Sequence, residues 1–376
     1  MTLGGIYGLQ YKLRLHAAGI RYALLHASRP AVSAPVMPPR RLALLMAGLI
    51  GDTVMCTPVV SESRRIWPEA RITLIGMQHN CDLLSGSADI DGFRAVTSDP
   101  FTIRRGSELC SFRDWLAKQN FDIAIVLLGD QFALELAKAG IPTRVGVAGH
   151  PLSRSLTHVY DNGTPQTWGP EEKLNSLRVL GCPARNIQPA IRIHDTAWLT
   201  AAATLQQLGV FPGDAYCVVH PFGRTAPQRW PTESCNRLAS LLSERYRLKV
   251  ILAGNAEAPF LGSPGNRLID ARGKFNLKEL PAVLDRAAFV ISTDSGPFHI
   301  AGALERPLVG LFRSVRLEHS RRYPQAQVLA GTDDDCRGRC AWNRCRRLPC
   351  RQMSAITIPE VLTAVGRIHQ QHNQRR

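Results

Sequence analysis

No uninterrupted apolar run in the 376-residue chain approaches the roughly 18–20 residues that a membrane-spanning helix needs. The N-terminus also lacks the short apolar core and small-residue cleavage site of a secretory signal. Both absences make a cytoplasmic protein the expectation, and the 45% hydrophobic content is ordinary for a globular chain. Acid is scarce: 30 Asp+Glu stand against 46 Lys+Arg, and the resulting +16 favours an anionic partner, whether nucleic acid, a membrane face or a phosphorylated substrate. Nucleic acid is set aside because the aromatics, 7% of the chain, are not interleaved with the basic residues, and no helix-turn-helix or RNP-like motif occurs. Internal repeats and low-complexity tracts are missing as well.

The chain is long enough for two domains of ordinary size. Residues 6–28 have helical spacing, with Ile6, Leu9, Leu13, Ala17, Ile20 and Leu24 on one stripe, and residues 28–39 have the Pro/Ala/Ser content of a linker. No acid occurs before Asp52, so this basic segment suits an anionic lipid face, and peripheral attachment to the inner membrane is an alternative to a free cytoplasmic protein. From residue 41 the pattern becomes strand alternating with helix. Strands are predicted over 41–47, 71–76, 121–128 and 143–147, with a turn at 48–52 and a helix starting near Thr53. A second series has strands over 216–221, 248–254, 289–293 and 307–312 and helices over 233–246, 277–286, 297–304 and 358–369. Two successive parallel α/β units imply two Rossmann-like domains facing a central cleft. The boundaries are 1–40 for the basic helix and linker, 41–195 for the first domain and 196–376 for the second, with the hinge expected in 181–213.

Three segments carry chemistry. In the first, strand 289–293 runs into Asp294-Ser295-Gly296, and a helix starts at about Pro297. Free N–H groups and the positive end of the helix form an anion site there, Gly296 admits a phosphate closely, and His299 is within reach of the same anion. A plain capped corner with a packed His299 would use the same residues. The second segment is His220-Pro-Phe-Gly-Arg-Thr-Ala-Pro-Gln-Arg-Trp-Pro231, just after a buried strand. There the Thr225 hydroxyl and the Arg229 guanidinium suit phosphate oxygens, although a solvated surface loop fits equally well. The third is Gly48-Leu-Ile-Gly-Asp52, where Asp52 can either cap a helix or act as general base toward an acceptor hydroxyl.

In their order and spacing these segments resemble glycosyltransferase family 9, the ADP-heptose heptosyltransferases of Gram-negative bacteria. The Gly51-Asp52 turn with Thr57-Pro58, the loop Arg229-Trp230-Pro231, the element Asp294-Ser-Gly-Pro-Phe-His299 and the closing segment Ile356-Thr-Ile-Pro-Glu-Val-Leu carry the resemblance, over roughly residues 41–366. It implies a GT-B fold and an inverting transfer that requires no cofactor. Asp52 would deprotonate the acceptor. Thr225, Arg229 and the Asp294, Ser295, Gly296 and His299 element would hold the donor, ADP-heptose, with Arg229 stabilising the departing ADP and Glu257 contacting the nucleoside. The family's Lys before Trp-Pro is Arg229 here, which keeps the charge but changes its geometry. The acceptor would be lipopolysaccharide inner core or Ser residues in the passenger domain of an autotransporter adhesin. A non-catalytic metal-binding protein of the same fold, acting in assembly or targeting, is the alternative.

Ten cysteines complete the inventory. Cys56, Cys81, Cys110, Cys182, Cys217 and Cys235 are scattered and read as small buried hydrophobes of a reduced protein. Cys336, Cys340, Cys345 and Cys350 lie within fifteen residues beside six Arg. Four thiolates suit tetrahedral iron or zinc, and neighbouring Arg lowers thiol pKa values. Free thiols in a basic loop are the other reading. Resemblance to the autotransporter subgroup, some of whose members carry a four-cysteine iron finger and form rings, adds structural metal and homo-oligomerisation as expectations.

Overall fold

The computed structural model describes residues 37–96, 106–164, 167–258, 268–313, 322–331 and 348–374, with Ala17, Ile20, Pro35 and Cys336 as isolated positions. The helix expected over 6–28 lies outside the described residues apart from Ala17 and Ile20, and so do Cys340 and Cys345. The chain divides into two compact units. The first comprises Met1–Asp82, Ser87–Thr164 and Gly169–Gln188, and the second Leu83–Gly86, Pro165–Trp168 and Pro189–Arg376.

The first unit is built on strands β1 (Arg41–Met46), β2 (Arg71–Met77), β3 (Gly92–Val96), β4 (Ile123–Leu128), β5 (Thr143–Val147) and β6 (His158–Tyr160), all paired in parallel in the order β3-β2-β1-β4-β5-β6. RLALLM and IAIVLL are nearly continuous apolar runs because helices cover both faces of a parallel sheet. Ala43, Leu45, Ala124 and Val126 pack with Phe112, Leu116, Phe132 and Leu136 from covering helices. Two short helices follow β1, α1 (Ile50–Met55) and α2 (Thr57–Ile66), so helix begins three residues before Thr53, and Pro58 sits in the first turn of the second helix. Helices α3 (Gln78–Leu84), α4 (Gly106–Gln119), α5 (Ala133–Lys138) and α6 (Gly169–Arg178) complete the α-helices of this part of the chain among the described residues.

The second unit repeats the plan with β7 (Tyr216–His220), β8 (Lys249–Leu252), β9 (Leu268–Asp270), β10 (Val290–Thr293), β11 (Leu308–Phe312) and β12 (Ala326–Ala330), again all parallel, in the order β9-β8-β7-β10-β11-β12. Its core joins Val219, Val250, Ile291 and Val309 to Trp230, to Leu238 and Leu242 of α8 (Thr232–Tyr246), and to Val361, Val365 and Ile368 of the last helix, Ile358–Gln374. Helices α7 (Ala197–Gln207), α9 (Leu280–Asp285) and α10 (Gly296–Ala303) also belong to this unit. Gly331, just after β12, backs directly onto the Gln352 carbonyl, which a Cβ there would overlap.

In both sheets the strand order reverses at the centre, between β1 and β4 in one and between β7 and β10 in the other. The loops leaving the C-terminal ends of those strands are where doubly wound sheets bind ligands. No helix among the described residues is long and apolar enough to cross a membrane. Of the six scattered cysteines, five are buried, whereas Cys110 is exposed on α4, contrary to expectation. The amphipathic α4 turns that position outward while Phe112 and Leu116 enter the core.

Candidate active site

The turn that follows β1 carries Asp52 in the first turn of α1, half-buried. No hydrogen bond or ion pair engages its carboxylate among the described residues, so it is available to accept a proton. The turn around it is held firmly: the Gly48 carbonyl accepts from Asn80 Nδ2 at 2.9 Å and lies 2.8 Å from His79 Nε2. Because a carbonyl only accepts, His79 must carry its proton on Nε2.

In the second unit the loops after β7 and β10 are brought together because those strands pair directly, Ser292 opposite His220. The Thr293 hydroxyl donates to the Phe222 carbonyl, and Ser295 Oγ lies 3.1 Å from both His220 Nδ1 and Ser292 Oγ. Ser295 is therefore the N-cap of α10 by position, with its side chain spent on His220 and on Ser292 and the Thr293 carbonyl of β10 instead of on the helix. Pro297 supplies no N–H, and the amides of Phe298 and His299 both point at the Ser295 carbonyl. The amides of Ser295 and Gly296 make no hydrogen bond among the described residues, and they are the donors left for an anion.

Nothing in the spacing of the sequence assigns His220 a role. Burial pushes its imidazole down to about 4 even though the ring keeps some solvent contact, so it is neutral at pH 7. Between its unfolded value of about 6.5 and about 4, the unfolded chain binds a proton that the folded chain does not. Stability therefore falls as pH drops through that window, and above it His220 contributes no pH dependence. Tm measured from pH 7 to pH 4 is expected to fall less steeply in His220→Gln than in the parent. Parallel curves would exclude His220 as a source of acid lability.

The loop from Pro221 to Pro231 is closed by Trp230, whose backbone N–H donates to the Pro221 carbonyl at 3.0 Å and whose indole Nε1 donates to the Ile356 carbonyl at 3.1 Å. Gly223 is required by close approach, since a Cβ there would run into the Gln228 side chain. Thr225 directs both its N–H (2.9 Å) and its hydroxyl (3.1 Å) at Gln228 Oε1, so a phosphate would have to compete for that hydroxyl proton. Arg229 is exposed, and its guanidinium has no ion-pair or hydrogen-bond partner among the described residues. Glu257 is exposed after β8 and likewise unpaired among them.

His299 is 3% exposed, and its nitrogens face Asp294 Oδ1 at 3.7 Å and the Tyr323 hydroxyl at 3.2 Å. It thus lies beside Asp294 without hydrogen-bonding to it. Tyr323, missed by sequence reasoning, packs its ring on α10 at Gly302 and stacks edge-on with Trp168. Only the fold could reveal it, because a lone Tyr in a basic stretch has no motif. Of the four clustered cysteines, Cys336 and Cys350 are described. No group of three or more His, Cys, Asp or Glu able to hold a metal occurs among the described residues.

Comparison with known proteins places this geometry. The chain is 25% identical over 278 residues to lipopolysaccharide heptosyltransferase 3 of Escherichia coli K12, covering 70% of this chain and 79% of that protein. Among solved structures, the ADP-heptose lipopolysaccharide heptosyltransferase II of E. coli superposes with a TM-score of 0.72 at 18% identity, covering 89% of this chain and 99% of that one. The iron-containing dodecameric glycosyltransferase TibC of enterotoxigenic E. coli superposes with a TM-score of 0.55 at 15% identity, covering 89% and 77%. These likenesses establish the GT-B fold of two parallel sheets. The model of glycosyltransferase family 9 (heptosyltransferase) matches residues 109–345, more than half of the sequence, and the chain belongs to that family and is a glycosyltransferase.

Proposed function

We propose that the chain transfers heptose from ADP-heptose to a hydroxyl of the lipopolysaccharide inner core, with inversion at the anomeric carbon. The observation that carries this reading is the pair of side-by-side loops at the switch point of the second sheet. One presents the Arg229 guanidinium and the other the Ser295 and Gly296 amides, all unpaired among the described residues and donors suited to a diphosphate. Asp52, on the corresponding edge of the first sheet, removes the proton from the acceptor hydroxyl as it attacks. The bond from the anomeric carbon to the diphosphate breaks, and the departing ADP keeps the electron pair. Arg229 and the start of α10 stabilise the charge that develops there, so no cofactor is needed for the transfer. Asp294, His299 and Thr225 complete the donor side, with Glu257 toward the nucleoside.

The 25% identity to a lipopolysaccharide heptosyltransferase and the charge of +16, which suits a phosphorylated lipid acceptor at the inner membrane, both support this acceptor. A second reading, transfer to Ser hydroxyls of an autotransporter adhesin, is favoured by the four-cysteine stretch and the likeness to TibC. Incubation of the purified protein with ADP-heptose and each acceptor, followed by mass spectrometry, decides between them. A heptose increment on heptose-deficient lipopolysaccharide is expected. An increment on the adhesin alone would transfer the assignment to the protein acceptor, and none on either would sink the proposal. The non-catalytic alternative has no observation in its favour.

We further assign a structural iron or zinc to Cys336, Cys340, Cys345 and Cys350. Cys350, 6% exposed among Met353 and Ile356 of the core, has the dry flank that protects a sulfur-bound ion. Elemental analysis is expected to find about one metal per chain and little in Cys345→Ser. Full occupancy in that variant would remove Cys345 from the ligand set.

A further inference from the structure

The turn that carries Asp52 is gripped from the start of α3 by His79, at the Gly48 carbonyl alone, and by Asn80, which alone reaches both ends of the turn. Asn80 lies in α3, just beyond the end of β2, and is fully buried, with 0% exposure. Its Nδ2 donates to the Gly48 carbonyl at 2.9 Å and to Thr53 Oγ1 at 2.7 Å, and its Oδ1 accepts from the Met77 amide at 2.9 Å. Thr53, itself fully buried, passes its own hydroxyl proton to the Leu49 carbonyl at 2.9 Å. The residues flanking Asp52 on both sides are thus fastened to β2 by a closed run of hydrogen bonds. Gly76 makes room for this arrangement, since a Cβ there would sit 3.1 Å from Asn80 Cβ and 3.0 Å from the Met46 carbonyl.

We propose that Asn80, acting through Thr53, is the positioning residue for Asp52. The inference rests on the reading of Asp52 as the general base. Asn80 contacts neither Asp52 nor any substrate position; it acts by fixing the backbone from Gly48 to Thr53. Two features make Asn the residue that fits. It supplies two N–H donors from one atom to two acceptors on opposite sides of the turn, and an acceptor for the strand end. Asn80 and Thr53 are both fully buried, so loss of either partner leaves a polar atom without water to replace it. A general base must lie within hydrogen-bond reach of its proton, and small displacements of catalytic groups are costly in rate. A turn tied at both ends to the adjacent strand holds the carboxylate to that tolerance.

The test uses the full chain with ADP-heptose and an acceptor that the parent enzyme glycosylates. Asn80→Ala is expected to lower kcat by about tenfold or more, with KM for ADP-heptose unchanged, because the donor elements lie in the other unit. Thr53→Val keeps shape but not the hydroxyl, so a smaller fall in kcat with the same unchanged KM is expected, and Thr53→Ser is expected to recover most of it. A parallel Asp52→Ala measurement separates the two levels of the argument. Retained turnover in Asp52→Ala would refute the base and leave the clamp without a function. Loss of turnover in Asp52→Ala together with parent-like kcat in folded Asn80→Ala and Thr53→Val would refute the clamp alone. Should Asn80→Ala fail to fold, the Thr53 pair decides: equal kcat in Thr53→Val, Thr53→Ser and the parent overturns the proposal.

Discussion

Asp52→Ala is expected to reduce kcat by about 10²–10⁴-fold, the range that a positioned general base contributes, while ADP-heptose still binds with near-parent affinity. The expectation follows from where the carboxylate sits. It is half-buried at the C-terminal edge of a parallel sheet, and no donor competes for it among the described residues. Its loss leaves no buried partner stranded, so the fold should survive. The only structural penalty is the favourable interaction of an acid with the first turn of a helix, about 0.3–1 kcal/mol. Asp52→Asn keeps the shape and removes the proton-accepting charge, and it should match the Ala variant in turnover. Single-turnover transfer together with calorimetric donor binding checks both halves. Parent-like turnover in either variant would remove Asp52 from the mechanism.

Trp230→Ala is expected to cost about 3–5 kcal/mol of stability, in the range of buried aromatic truncations, and with it the order of the donor loop. Trp230 is 2% exposed and packs among Cys235, Leu238 and Val361. It also closes the Pro221–Pro231 loop on itself and ties that loop to the Ile356 carbonyl. Its removal therefore opens a cavity and releases Arg229 together. Trp230→Phe keeps most of the packing but strands the Ile356 carbonyl, at about 1–3 kcal/mol. Denaturant unfolding of the three proteins gives the order parent, Phe, Ala. An Ala variant within 1 kcal/mol of the parent would show that the loop is anchored elsewhere.

The central strands were legible because burial on both faces writes them as unbroken apolar runs, RLALLM and IAIVLL among them. The edge strands were not. β6 and β9 have three residues each, too few for any periodicity, and GFRAV of β3 mixes Gly and Arg into a half-exposed pattern. Near residue 52, the start of α1 was read late because Leu49 and Ile50 continue the apolar character of the strand. Within the site, Asp52, Arg229 and the Asp294–His299 element stood out because their surroundings form recognisable turns. Asn80, His220 and Tyr323 take their meaning from contacts across the sheet, a relation that spacing along the chain does not encode. His299 was read as an anion contact or a packed side chain, and in the fold it is buried, 3.7 Å from Asp294 Oδ1 and 3.2 Å from the Tyr323 hydroxyl.

The meeting of Gly331 with the Gln352 carbonyl has a consequence for how this protein could diversify. The chain is at the same place before Cys336, Cys340 and Cys345 and just after Cys350, which is itself part of the core. Lengthening the stretch between costs little, about 0.6 kcal/mol for each doubling. A homologue or a designer could exchange that stretch for a short turn, a different metal knuckle or a contact arm while β12 and the helices that follow stay in register. Three of the four thiols then belong to an interchangeable cassette, and the sugar-transfer machinery can be inherited without them.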